Sequence, residues 1–257
     1  MYVALIKNYV KEIMDYRVDF LIGLLSVLVE QTVSIIFLIV VFNNVKRLLN
    51  WGFYELLLIY AFGTLGRSIH LVFFDNLWIF GSKYILMGGF DRVLVKPINP
   101  LFQIIAEKVN FQGIGQFVAG VVAMVVSLRG LDISLGFVNI ILTLVFIVCS
   151  GGIFIGIHLL LMSFSFWIID SQPIVSSIFS LNQFAQYPLQ IYPKVIRLLI
   201  LFFIPYSFTS FIPANLFLHE NEFSTYIYFI PVICFLFLFL SYRLWLLGTR
   251  YYKSTGS

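Results

Sequence analysis

Charge is scarce in this chain. Asp, Glu, Lys and Arg make up 11% of its 257 residues, where a soluble domain carries about a quarter. A single water-surrounded core is therefore excluded. Cysteine is almost missing too. Cys149 and Cys234 lie far apart in sequence, outside any CxxC or Cys/His cluster, so neither a disulfide framework nor a metal site is expected. No G-x-x-x-x-G-K-[ST] loop is present to cradle nucleotide phosphates. Basic residues do not cluster with stacking aromatics, which argues against nucleic acid as a partner.

Apolar surface fills the space. The chain is 61% hydrophobic with 29 Phe, and its mean hydropathy is +0.99. A bilayer is the solvent that suits such a composition. Spanning runs of about 20 residues are expected near 20–42, 54–76, 102–128, 137–168 and 225–247. The stretch 171–223 is ambiguous. Either the moderately polar SQPIVSSIFSLNQFAQ or the short VIRLLILFFIPYSF can supply a sixth span, with "YPLQIYPK" between them. The first twenty residues lack a leader's apolar run and small-residue cleavage site. Their apolar and charged residues alternate at helical spacing, so residues 1–19 are expected to form a helix lying in the membrane interface.

With six spans and a cytoplasmic N-terminus, basic residues divide unevenly. Lys7, Lys11, Arg17, Lys83, Arg92, Lys96, Lys108, Arg243, Arg250 and Lys253 fall inside. Lys46, Arg47, Arg129, Lys194 and Arg197 fall outside. The bias places both termini in the cytoplasm of a multi-pass cell-membrane protein. If VIRLLILFF were the span, Lys194 and Arg197 would move inside as well, so charge alone leans mildly to that alternative.

The stretch GGFDRVLVKPINPLFQ, Gly88–Gln103, interrupts the apolar runs on the cytoplasmic side. Phe90, Val93 and Leu94 can line one face of a short helix, with Asp91, Arg92 and Lys96 elsewhere around it. Pro97 and Pro100 then turn the chain back. Two ionisable groups lie within spans, where charge is costly and often functional. Glu30 and Arg67 both sit about 15 Å from the inner end of their helices. They are expected to face each other, with His70 one turn nearer the cytoplasm. Either a packing salt bridge or a polar element of a transport path or dimer interface accounts for such a pair. Glu107, Lys108, Asn110, Gln112 and Gln116 make the inner half of the third run wet, and Asn182, Gln183 and Gln186 do the same for 171–186. Of these, Asn110, Gln112, Gln116 and Asn182 are candidates to line a path. Gly152 and Gly156 read as a helix-packing face. No nucleophile–base pair or carboxylate cluster suggests an enzyme.

At these residues the sequence resembles the membrane subunits of type-2 ATP-binding-cassette exporters, in their small six-span branch. The element F-D-x-x-L-x-K-P-x-N-P-L is matched by Phe90, Asp91, Leu94, Lys96, Pro97, Asn99, Pro100 and Leu101. A proline-spaced pattern is matched by Gln186–Leu218, with Pro188, Pro193, Pro205 and Pro213. The tail adds Tyr252, Ser254, Gly256 and Ser257. The resemblance implies one all-α permease domain over 1–257. Residues 84–101 would be a coupling helix docking on a separate ATPase subunit. Residues 172–189 would be the fifth span, and 190–223 an external re-entrant hairpin. It also implies two ATPase copies holding ATP and Mg, no cofactor in this chain, and a second permease, identical or homologous. Two other readings stand beside it: an ATP-independent secondary transporter or channel, and a membrane scaffold that moves nothing.

Overall fold

The computed structural model describes residues 17–49, 51–168, 171–218 and 223–253. The interfacial helix expected at 1–19 lies almost wholly outside them, as do Ser254, Gly256 and Ser257 of the tail.

Among the described residues the fold is helical, and the only strand-like contact is an isolated bridge between Leu48 and Trp51. Five helical stretches are long and apolar enough to cross a membrane: Phe20–Asn44, Phe53–Leu86, Gln112–Gly130, Phe137–Phe166 and Thr225–Tyr251. The long helices are α1 (Arg17–Asn44), α2 (Phe53–Phe74), α5 (Gln112–Gly130), α6 (Phe137–Ser163) and α10 (Ile230–Tyr251). Helix α2 is the central one, packed between α5 and α6. From Leu56 to Leu65 its residues are buried on every side, as an all-round apolar helix requires. Helix α10 packs on α6, and α1 lies mainly on α5.

The packing rests on close backbone approach. A Cβ on Gly156 would stand 2.9 Å from the carbonyl carbon of Phe237 and 3.1 Å from the nitrogen of Leu238, both on α10; one on Gly152 would meet Cys234 Sγ. The Gly152–Gly156 face of α6 is thus the seat of α10. Without hydrophobic drive between helices in lipid, such approach supplies the association through van der Waals contact.

The third apolar run is not one helix. Residues Pro100–Glu107 form a separate α4, and the chain becomes extended at Lys108 (φ −143°, ψ 130°) before α5 begins. Local polar chemistry makes the break. Asn110 Oδ1 accepts from the Gln112 backbone N–H at 3.0 Å, and the Asn110 N–H donates to Val72 O at 2.9 Å. These bonds serve backbone groups that a continuous helix would satisfy internally.

The ambiguous stretch folds as a composite. Helix α7 (Gln172–Ser180) runs into a 3-10 segment, Leu181–Gln186. Together they reach roughly 25 Å, short of a hydrocarbon core of about 30 Å. Pro188 ends the rise. Helix α8 (Lys194–Leu198) and a π turn (Leu199–Phe203) follow. The chain then reverses at Ile204–Pro205, where Ser207 Oγ donates to Ile200 O at 2.9 Å. The return strand of this hairpin is a 3-10 turn, Tyr206–Thr209, and a short α9, Phe211–Ala214, both buried. Phe211 packs edge-on against Trp51 at 5.7 Å, which puts the hairpin at the α1–α2 loop end of the bundle. The opposite end carries residues 75–111.

Candidate functional site

Two regions concentrate polar groups. The first lies at the end of the bundle below α2. After Phe74 the chain passes through a 3-10 turn (Asp75–Ile79) and a π-helical stretch (Phe80–Leu86). It turns at Gly88, whose φ of 69° suits only glycine without strain. A Cβ on the neighbouring Gly89 would lie 2.6 Å from the Lys83 carbonyl oxygen. Then comes α3, Phe90–Leu94, only five residues long.

Phe90, which the resemblance places in the coupling element, does not lie on that element's surface. It is fully buried, and its ring meets Phe80 at 5.9 Å, Phe166 at 5.5 Å, Trp245 at 6.0 Å and Tyr252 at 4.9 Å. Those partners belong to the extension of α2, the foot of α6, α10 and its end. Phe90 is therefore an anchor that ties α3 to three long helices. Val93 is buried with it, whereas Arg92, Leu94, Val95, Lys96 and Pro97 are exposed and Asp91 is half-buried. The alternation arises because a five-residue helix has one inward face only.

Asn99 caps α4. Its Oδ1 accepts from the Phe102 N–H at 3.2 Å, its Nδ2 reaches the Tyr242 hydroxyl at 3.3 Å, and Pro100 occupies the first turn, where its missing N–H costs nothing. Gln103 Nε2 donates to the carbonyls of Val93 (3.2 Å) and Ile98 (2.9 Å), stitching the loop to α4. Lys83 Nζ donates to Glu107 Oε1 at 2.8 Å, and the Tyr84 hydroxyl donates to Glu107 Oε2. A cleft of about 700 Å³ lies between, lined among others by Lys83, Asp91, Arg92, Lys96, Gln103 and Glu107.

Partial burial pushes the Glu107 carboxyl up, but bonds from Lys83 and Tyr84 and the Lys83 and Lys96 charges outweigh it, so its pKa falls below the ordinary 4.5. A depressed acid stabilises the fold above its unfolded pKa, and that contribution disappears as pH falls through the folded value. The pair is half-exposed, so its worth is below about 1 kcal/mol. Thermal unfolding of Glu107→Gln should accordingly trail wild type slightly at pH 7, with the gap closing below pH 4.5.

The second region lies within the membrane-spanning helices. Arg67 Nη1 stands 3.8 Å from Glu30 Oε1. Gln31 Oε1 accepts from the Tyr60 hydroxyl at 2.5 Å, joining α1 to α2. Glu30, Arg67, Gln116 and Asn182 line one small polar chamber with Thr64 and Ser210. Asn110 and Gln112 do not reach it. Asn110 Nδ2 donates to Asp75 Oδ2 at 3.1 Å beside a Lys108–Asp75 ion pair at 3.7 Å. The Gln112 amide fills the space over Gly23 of α1. Both act at the start of α5, one turn or more from the chamber.

His70 bonds to neither Glu30 nor Arg67. Its Nε2 lies 2.6 Å from His158 Nδ1, one nitrogen donating and the other accepting, and both rings are buried beside Trp78 and Phe179. Sequence reading missed this pair, because His70 and His158 are 88 residues apart and only the α2–α6 packing brings them together. Removing one partner orphans the other at a cost of about 1–3 kcal/mol. His158→Leu and His70→Leu should therefore each destabilise, and the double variant His70→Leu/His158→Leu should lose well less than the sum of the two single effects in a thermal double-mutant cycle.

Lys83, Tyr84 and Gln103 are the other residues that went unread as site groups. The one signal for them was the polar run near Glu107, which marks a wet helix but not its partners.

No curated protein and no solved structure gives a match to this chain. A family model described as "ABC-2 family transporter protein" matches residues 28–256, covering every helix from the middle of α1 onward. A multi-pass helical chain, an anchored α3–α4 unit at one end and that near-complete match agree: the chain belongs to the ABC-2 family of transporter proteins, the membrane component of an ATP-binding-cassette system.

Proposed function

We propose that this chain is the transmembrane half of an ATP-driven exporter for an amphipathic substrate such as a drug, antibiotic, peptide or lipid. Two copies, or this chain and a homologue, work with two ATPase subunits that hold ATP and Mg²⁺. Both termini and α3–α4 face the cytoplasm. The segment 172–189 crosses as the fifth span, and the 190–223 region dips into the outer leaflet, where backbone at membrane depth is tolerated against protein.

The observation that carries this reading is the two-sided character of α3. Its outer face offers Arg92, Leu94, Val95 and Lys96, with Asp91 and Asn99 at the margins. Its inner face plugs Phe90 into an aromatic cluster drawn from three long helices. An ATPase gripping the outer face moves the helix ends together through the inner one. Charge at an interface rim governs encounter and register. Reversing Arg92 and Lys96 to Glu is expected to cut recovery of the ATPase subunit with the purified chain by about tenfold or more. Undiminished recovery together with undiminished export would remove α3 as the docking element.

A further inference from the structure

The pairing of Glu30 with Arg67 is loose. At 3.8 Å it is an ion pair but not a hydrogen bond. No hydrogen bond to either charged group is made by another side chain among the described residues. The Glu30 side chain is 59% exposed and that of Arg67 33%, although both lie inside membrane-crossing helices, Glu30 about 20 Å from Arg17 and Arg67 about 10 Å from Phe74. A carboxylate left against hydrocarbon at such depth is unfavourable by several kcal/mol. These groups therefore await a complement.

The space beside them has a definite shape. A lateral cleft of about 370 Å³ opens between α1, α2 and the 3-10 segment Leu181–Gln186. That volume falls in the range of small-molecule sites, about 300–1,000 Å³. One half of its wall is polar and uncharged: Ser34, Tyr60, Gln183 and Gln186. The other half is an apolar stripe on α1, where Val33, Phe37 and Leu38 follow Glu30 at helical spacing. The cleft thus offers one anion, one cation and adjoining grease.

We infer that this cleft binds zwitterionic amphiphiles, with the ligand's cation on Glu30, its phosphate or carboxylate on Arg67, and its chain along Val33 and Phe37. The site's two charges sum to zero. A purely cationic ligand would leave Arg67 uncompensated, and a purely anionic one would leave Glu30 so, each in a medium that penalises unpaired charge. A zwitterion completes both, and the guanidinium fork suits a phosphate or carboxylate bidentately. This inference deepens the export reading by naming a substrate class, and it rests on that reading only for the direction of movement.

The test separates the two. The chain, with whatever subunits accompany it from native membranes, is placed in lipid nanodiscs without ATP. Three probes share one diazirine-bearing alkyl chain and differ in headgroup: phosphoethanolamine, primary amine, and phosphate monoester. Photolabelling is mapped by mass spectrometry. The phosphoethanolamine probe should label residues 30–38 about tenfold more than either other probe. Glu30→Gln should shift the preference to the phosphate probe, and Arg67→Gln to the amine. Equal labelling by all three, an unchanged ranking in both variants, or no labelling of residues 30–38 would overturn the assignment. ATP-driven movement of the same probe in sealed vesicles is measured separately. Its failure with labelling intact would count against export and leave the binding site standing.

Discussion

Replacing Phe90 with alanine is expected to cut export at least tenfold while the ATPase subunit stays bound. Phe90 is wholly buried, and its ring touches the extension of α2, the foot of α6 and the lower part of α10 at once. Emptying such a position costs about 3–5 kcal/mol. The loss is local, because the surrounding cluster retains its own contacts: Phe80 with Phe166 at 5.2 Å and with Trp245 at 4.8 Å. The outer face of α3, with Arg92, Leu94 and Lys96, is untouched. Co-purification of the ATPase should therefore persist, while substrate movement per ATP hydrolysed falls at least tenfold. Phe90→Leu, which keeps most of the volume, should recover much of the coupling. Equal loss of binding and of export in Phe90→Ala would mean that the ring supports the docking face and not the transmission.

Gly156→Leu should be the most damaging single change in the spans. A Cβ alone would press to 2.9 Å from the backbone of Phe237 on α10. Three further side-chain carbons force the two helices apart by more than local adjustment can absorb, and overpacking of this kind costs about 1–3 kcal/mol or more. Helix α10 has little other support, since its chief partner is α6. It also carries Trp245 into the cluster around Phe90. The expected outcome is a sharp fall in detergent-stable protein, seen as aggregation in size-exclusion chromatography. Gly136→Leu is the control, because nothing lies within 4 Å of a Cβ there, and it should behave as wild type.

The long helices were legible because their signal is composition over twenty residues, and lipid imposes that length. Their ends agree with the expected runs to within a few residues for α1, α2 and α6. The third run misled because Ile104–Ala106 and the apolar stretch after Gly113 read as one span. Only the turn made by Asn110 and the pairing of Lys108 with Asp75 separate them, and neither has a periodic signature. The stretch 171–218 resisted reading for a related cause. Pro188, Pro193, Pro205 and Pro213 cut it into pieces shorter than the window that identifies a span.

Among candidate site residues, Glu30 and Arg67 were legible from depth alone, since charge in a span stands out. Their neighbours Gln116 and Asn182 shared that polarity signal, but so did Asn110 and Gln112, which serve helix ends instead. Phe90 shows the limit of motif reading. The residues around it carry the motif of the resemblance, yet which of them face inward depends on a five-residue helix whose phase the sequence does not reveal.

The extended backbone at Lys108 makes a swivel. In a continuous helix one inserted residue would rotate everything beyond it by about 100° and spoil every downstream contact of α5. Between Lys108 and Val109 the same insertion only lengthens a strap. The α3–α4 unit is thus not held to the phase of α5 by a continuous helix, and its firmest tie to the long helices is the Phe90 ring, which meets residues at the foot of α2, α6 and α10.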